Sequence, residues 1–225
     1  MIFKKYIFMS LILSALYSAP MLAGTLNNSK NKIDNLYQKM PSSFNHQQKL
    51  QWLSKQFLNK PYKLGPLGEG KNGRYDQSPL YSTNDFDCTT YVETIMALAV
   101  ANNLEQFNQQ LIEIRYQDNR PSYLTRNHFM SGSWNPSNIK KGYVKDITNT
   151  ILDKAKKPIF KVATAIIDMP NWIRNIPIES IKLKKPINAQ IRLEQLHKQS
   201  NKFLANNNIS LTCCSKSCNL ETSLS

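Results

Sequence analysis

Between Asp87 and Ala101 the chain reads Asp-Cys-Thr-Thr-Tyr-Val-Glu-Thr-Ile-Met-Ala-Leu-Ala-Val-Ala, fifteen residues without glycine or proline. Asp87 is a strong N-cap residue, since its carboxylate accepts the free amide hydrogens of a first helical turn. A helix is therefore expected over Cys88 to Ala101, with Val92, Ile95, Met96 and Ala99 as its buried stripe. That reading fixes Cys88 in the first turn. A cysteine attacks as thiolate, and the unpaired amide hydrogens and macrodipole at a helix start favour a negative sulfur. The bland alternative is a small buried residue that helps a helix pack.

The segment before this helix, Tyr62-Lys63-Leu64-Gly65-Pro66-Leu67-Gly68-Glu69-Gly70, is glycine-rich but lacks the spacing of a phosphate-binding loop. A backbone that turns sharply beside a site explains it better. Further helices are expected over Asn45 to Leu58, Leu104 to Arg115 and Ala189 to Leu204, the last with Leu193, Leu196, Ser200 and Phe203 on one side. Ile159 to Ile167, rich in β-branched residues, is the clearest strand. Gly24 to Lys32 reads as polar and loose, and beyond Ala205 the pattern dissolves into Asn, Ser and Cys. With 225 residues, 41% of them hydrophobic, one sizeable core or at most two can form.

Lys4 and Lys5, the apolar run Ile7 to Leu16, and Met21-Leu22-Ala23 succeed one another as the three parts of a signal peptide, with cleavage expected after Ala23. The run is shorter than the roughly 20 apolar residues a spanning helix needs, so an exported protein of the periplasm or the extracellular space is expected, without stable membrane insertion. The formal charge is +14. Residues 24–138 carry 12 basic and 9 acidic side chains, whereas residues 139–202 carry 14 and 5, so most of the positive field lies in the second half. Such a surface suits anionic polymers, but the lysines are dispersed and no nucleic-acid motif accompanies them. Cys88 stands apart from Cys213, Cys214 and Cys218, which permits a free functional thiol. The Cys-rich ending lacks His and the usual ligand spacing, so neither metal nor other cofactor is expected.

Phe86-Asp87-Cys88-Thr89-Thr90-Tyr91-Val92-Glu93-Thr94, the loop from Leu64 to Gly70, Arg126-Asn127-His128-Phe129 and Asp146-Ile147-Thr148 together resemble a bacterial family. It is the N-acetylmuramoyl-L-alanine-amidase-like family, of the NlpC-like papain-fold superfamily of cysteine peptidases. The resemblance implies an α+β, papain-like fold with the Cys-bearing helix packed on an antiparallel sheet. It also implies cysteine-dependent cleavage of amide bonds in peptidoglycan stem peptides. In such domains the catalytic His and most sheet strands follow the matched segment, so a truncated product is expected. The implied organisation is a signal peptide at 1–23, a polar segment at 24–44, the N-terminal part of the hydrolase domain at 45–205 and an atypical Cys-rich tail at 206–225.

On this reading Cys88 is the nucleophile, and Tyr62, Asp87, Arg126 and Asn127 are candidate substrate contacts. His128 is the candidate base or a further substrate contact. A His inside a polar loop motif is more often a structural hydrogen-bonder, and Asp87 is explained by capping alone. Trp134 and Tyr123 either line a glycan groove or anchor packing. The expected partner is peptidoglycan or its peptides, met by a monomer. The alternative is a non-catalytic basic protein that binds the cell wall or another anionic polymer.

Overall fold

The structure, a computed structural model, describes residues 19–159, 161–177, 181–182, 189–203 and 207–213. The expected signal sequence lies outside the described residues up to residue 18, as do Cys214 and Cys218. Chain contacts divide the protein into two units. The first comprises residues up to Leu67 together with Tyr81–Gln110; the second comprises Gly68–Leu80 and the residues from Leu111 onward.

The first unit is helical. Helix α1 spans Ala19–Lys39, α2 His46–Gln56 and α3 Cys88–Val100, and the first turns of α4, Leu104–Arg115, also belong to it. The stretch Gly24 to Lys32, expected to be loose, is helix instead, because Ser29, Ile33 and Leu36 fall at helical spacing and are buried. Asn45 caps α2 with a reciprocal capping box to Gln48. Leu53 and Phe57 of the α2 segment are wholly covered, and α2 packs on α3. Each such side chain contributes roughly 1.5–3 kcal/mol of burial.

Helix α3 shows what its pattern concealed. The buried positions are Thr90, Glu93, Thr94, Ile95, Ala97, Leu98 and Ala99, while Val92 is 44% exposed and Met96 only half-buried. The inward stripe thus includes polar residues, which an apolar pattern alone passes over. Their hydroxyls are satisfied locally: Thr94 Oγ1 donates to the Thr90 carbonyl at 2.7 Å, and Thr90 Oγ1 donates to the Asp87 carbonyl at 3.3 Å. The small side chains of Ala97 and Ala99 allow helices to approach closely.

The second unit is built around Tyr75, Tyr123, Leu124, Met169, Ile173, Ile176, Ile181, Leu193 and Leu196. It contains the end of α4, a wide helical turn at Met130–Trp134 running into α5, Asn135–Lys140, then β1, Lys161–Ile167, α6, Met169–Arg174, α7, Ala189–Phe203, and β2, Asn207–Cys213. Helices α6 and α7 pack together. Strands β1 and β2 pair antiparallel, Lys161 opposite Cys213 and Ile167 opposite Asn207. The polar ending therefore supplies a strand, its Ile209-Ser210-Leu211-Thr212 alternation hidden among Asn and Ser.

These findings correct the expected fold. Among the described residues the protein is mostly helical, and its one sheet is the two-stranded ribbon β1–β2. The Cys-bearing helix packs on α2, so a papain-like Cys helix seated on an antiparallel sheet is not what this chain forms. Among the described residues no helix is long and apolar enough to cross a membrane.

Candidate functional site

Cys88 opens α3 and is an exposed free thiol. The turn before it is held from three sides. Asp87 Oδ1 accepts from the Thr90 amide at 2.7 Å while the Asp87 amide donates to Thr90 Oγ1 at 3.0 Å, the two halves of a capping box. Asp87 Oδ2 accepts from the Gly65 amide at 3.2 Å, tying the upstream loop to the helix start. Tyr62 and Phe86 form a parallel bridge in which the Lys63 amide donates to the Phe86 carbonyl at 3.0 Å and the Phe86 amide to the Pro61 carbonyl at 3.1 Å. Lys63 pairs with Asp85 at 3.3 Å.

An open groove of about 290 Å³ runs past the thiol, walled by Phe57, Leu58, Lys60, Tyr62, Phe86 and Tyr91. Phe86 stands edge-on to Phe57, 5.5 Å between ring centroids, and to Tyr91, 5.7 Å. The Tyr91 hydroxyl is anchored on Ser54, donating to its carbonyl at 3.0 Å. Leu58 and Tyr62 are 62% and 69% exposed, so the groove presents apolar surface to solvent beside a nucleophilic atom. Of these walls only Tyr62 stood out in the sequence. Tyr91 was legible in principle: three residues after Cys88 on a helix, it shares that face.

The Arg126-Asn127-His128 motif belongs to the second unit, with Gly68–Leu80. There the glycine-rich loop closes on itself, the Gly68 amide donating to Pro79, that of Glu69 to Asp76, and that of Gly70 to Ser78, each at 2.9 Å. Buried Glu69 accepts the amides of Arg74 at 2.6 Å, Tyr75 at 3.1 Å and Tyr123 at 2.5 Å. Burial raises its pKa from the ordinary carboxylate value, although those amide bonds oppose the rise. A Cβ at Gly73 would lie 2.6 Å from the Asp76 carbonyl oxygen and from Glu69 Cβ, so this position admits no side chain. Glu69 and Asp76 organise the loop, and the sequence reading missed both; glycines 68 and 73 beside them were the available signal.

Arg126 faces Asp76 at 3.8 Å. Asn127, buried, donates from Nδ2 to the Ile114 carbonyl at 3.3 Å, and its amide donates to the Arg115 carbonyl at 3.0 Å. His128 Nε2 donates to the Tyr123 carbonyl at 2.6 Å, and its ring lies 4.7 Å from Tyr123 and 4.9 Å from Trp172. Burial, with the Arg126 charge adding to it and the Tyr123 bond opposing, pushes the His128 pKa down to about 3. The imidazole is neutral at ordinary pH, with Nδ1 left to accept a proton. Tyr123 is itself buried, its phenol pushed up to about 12 mainly by burial. Trp134 is buried at the edge of a pocket of about 350 Å³ shared with Lys145, Asp146 and Thr148. His197 is half-buried on α7.

Residues 52–216 match the AmiA-like family, described as N-acetylmuramoyl-L-alanine amidase-like. A crystal structure of a DUF1460 protein from Legionella pneumophila str. Philadelphia 1 is 36% identical, with a TM-score of 0.79 over 84% of this chain and 64% of that one. The chain thus spans about two thirds, 64%, of the length of that relative. An N-acetylmuramoyl-L-alanine amidase from Bacteroides uniformis ATCC 8492 is 17% identical at a TM-score of 0.48, covering 75% of this chain and 63% of that one. No curated protein matches the chain.

Proposed function

The chain belongs to the AmiA-like, N-acetylmuramoyl-L-alanine amidase-like family, and on that premise we propose that it is an exported hydrolase in which Cys88 cleaves an amide bond of peptidoglycan stem peptides. The observation that carries this reading is an exposed thiol at the head of a doubly anchored helix, opening onto a groove with apolar walls. Cys88 Sγ attacks the amide carbonyl carbon, and the carbon–nitrogen bond breaks. The thiol proton leaves with the amine, and water then hydrolyses the thioester to a carboxylate and restores the thiol. Apolar walls take the uncharged part of the substrate and hold the carbonyl against the sulfur.

Asp87 supports this chemistry by fixing the turn that aims Cys88, since both its oxygens are already engaged by amides. Tyr62 is the proposed substrate contact on the groove wall. Arg126 and Asn127 act as structural ties, and His128 is a stiffener of its loop. The test is digestion of purified muropeptides by the protein and by Cys88→Ser, followed by mass spectrometry. Cys88-dependent release of peptide supports the reading, and equal release by the variant defeats it.

A second reading has its own observation. Lys140, Lys145, Lys154, Lys156 and Lys157 are all exposed, against only Asp146 and Asp153 in the same stretch. Such a surface favours an anionic wall polymer as ligand. Salt-sensitive retention on that polymer by Cys88→Ser, without hydrolysis by the wild type, would favour this alternative.

A further inference from the structure

Lys60 lies on the wall of the groove that contains Cys88. A second cation, Lys32, interacts with it. Lys32 of α1 sits over the Phe57 ring, 4.6 Å from its centroid, and reaches the Thr83 carbonyl at 3.5 Å. Burial lowers the proton affinity of Lys32, and the nearby Lys60 charge lowers it further. The carboxylates of this region are occupied elsewhere: Asp85 pairs with Lys63 at 3.3 Å, and Asp87, also on the groove, accepts the amides of Thr90 and Gly65. Among the described residues no carboxylate is ion-paired with Lys60. Two ammonium groups held together without an anion repel, and an anion placed between them relieves the repulsion.

We propose that Lys60, backed by Lys32, is a specificity determinant of the Cys88 groove and receives a free carboxylate carried by the substrate near the bond that is cut. The preferred substrate is then a short peptide with an uncharged segment against Leu58, Tyr62 and Tyr91 and an anionic group at Lys60. This inference rests on the hydrolase reading for the reaction but not for the charge preference.

The experiment begins with alkylation of the full chain by iodoacetate, an anion, and by iodoacetamide, its neutral counterpart, quantified at the Cys88 peptide by mass spectrometry. Lys60→Gln should lower the iodoacetate-to-iodoacetamide rate ratio roughly three- to tenfold at low ionic strength, an effect that shrinks at high salt. Lys39→Gln, an exposed change at the end of α1, should leave the ratio as it was. With muropeptides, Lys60→Gln should raise KM for substrates bearing a free carboxylate and leave their amidated analogues unaffected. A ratio unchanged in Lys60→Gln overturns the proposal, as does an equal loss on free and amidated peptides. Failure of the wild type to cut either peptide would sink the hydrolase reading instead, while the alkylation ratio would still decide the role of Lys60.

Discussion

The surroundings of Cys88 and those of Arg126-Asn127-His128 hold the most distinctive motifs of the chain, and they spend their polar groups in opposite ways. Around Cys88 the bonds are made by the supporting residues: Asp87 grips two amides, Tyr91 is anchored on Ser54, and the thiol itself stays exposed over a groove. In the Arg-Asn-His motif the distinctive residues are themselves the support. Arg126 is turned to Asp76, Asn127 to a helix carbonyl, and His128 to a loop carbonyl between two aromatic rings. A motif residue with free surface can meet a substrate, whereas one consumed by internal bonds acts mainly on stability.

The contrast is sharpest at Cys88→Ser. Hydrolysis should fall by on the order of 10³-fold or more, with the melting temperature almost unchanged, because the proposed nucleophile is lost from an exposed site. Paired activity and thermal-unfolding measurements check this. A large stability loss would show that Cys88 packs after all.

Gly73→Ala should have the next largest effect, about 3 kcal/mol of destabilisation read by denaturant unfolding, since its Cβ would overlap the Asp76 carbonyl and Glu69. Alkylation of Cys88 in the folded variant should keep its rate.

His128 offers a pH test. Its pKa in the folded protein, about 3, lies below the ordinary 6.5, so the unfolded chain binds the proton more tightly. The contribution is complete above pH 6.5 and declines as pH falls toward 3, by a few kcal/mol at most at about 1.4 kcal/mol per unit. Comparing stability–pH curves of the wild type and His128→Phe checks it: the variant's curve should be flatter over that interval. Matching slopes would return His128 to consideration as a titrating, functional group.

The smallest effect is expected for Asp87→Ala, which removes the cap of α3 and the tie to Gly65. About 1–2 kcal/mol of stability should go, and catalytic turnover should drop through looser aim of Cys88. Asp87→Asn, whose single carbonyl oxygen can still accept the Thr90 amide but not the Gly65 amide as well, should restore the cap and part of the stability.

Several elements were legible beforehand because their signals are local. Helix α4 lies over Leu104 to Arg115 as its periodicity indicates, Asp87 caps α3, and β1 begins two residues later than the β-branched run suggests. The misread elements share a different cause. The buried stripe of α3 includes Thr90, Glu93 and Thr94, whose polarity hides them from an apolar pattern. Strand β2 is weakly marked and takes its partner from residues far back in the chain, a pairing that no local window contains. Tyr62, a candidate substrate contact from its loop, lies on the groove, yet Phe57, Leu58 and Lys60 reach the same groove from the segment after α2.

The sequence by itself determined that Cys88 begins a helix, because capping and helical propensity act over a few residues and need no distant partner. It also determined the family, since four motifs in order survive without any knowledge of their contacts. Which helix α3 would pack on, whether the Arg-Asn-His residues would be spent internally, and which lysine would line the groove of Cys88 were decided only in three dimensions. Burial and charge pairing depend on groups far apart along the chain, and their energies appear only when folding brings those groups within a few ångströms.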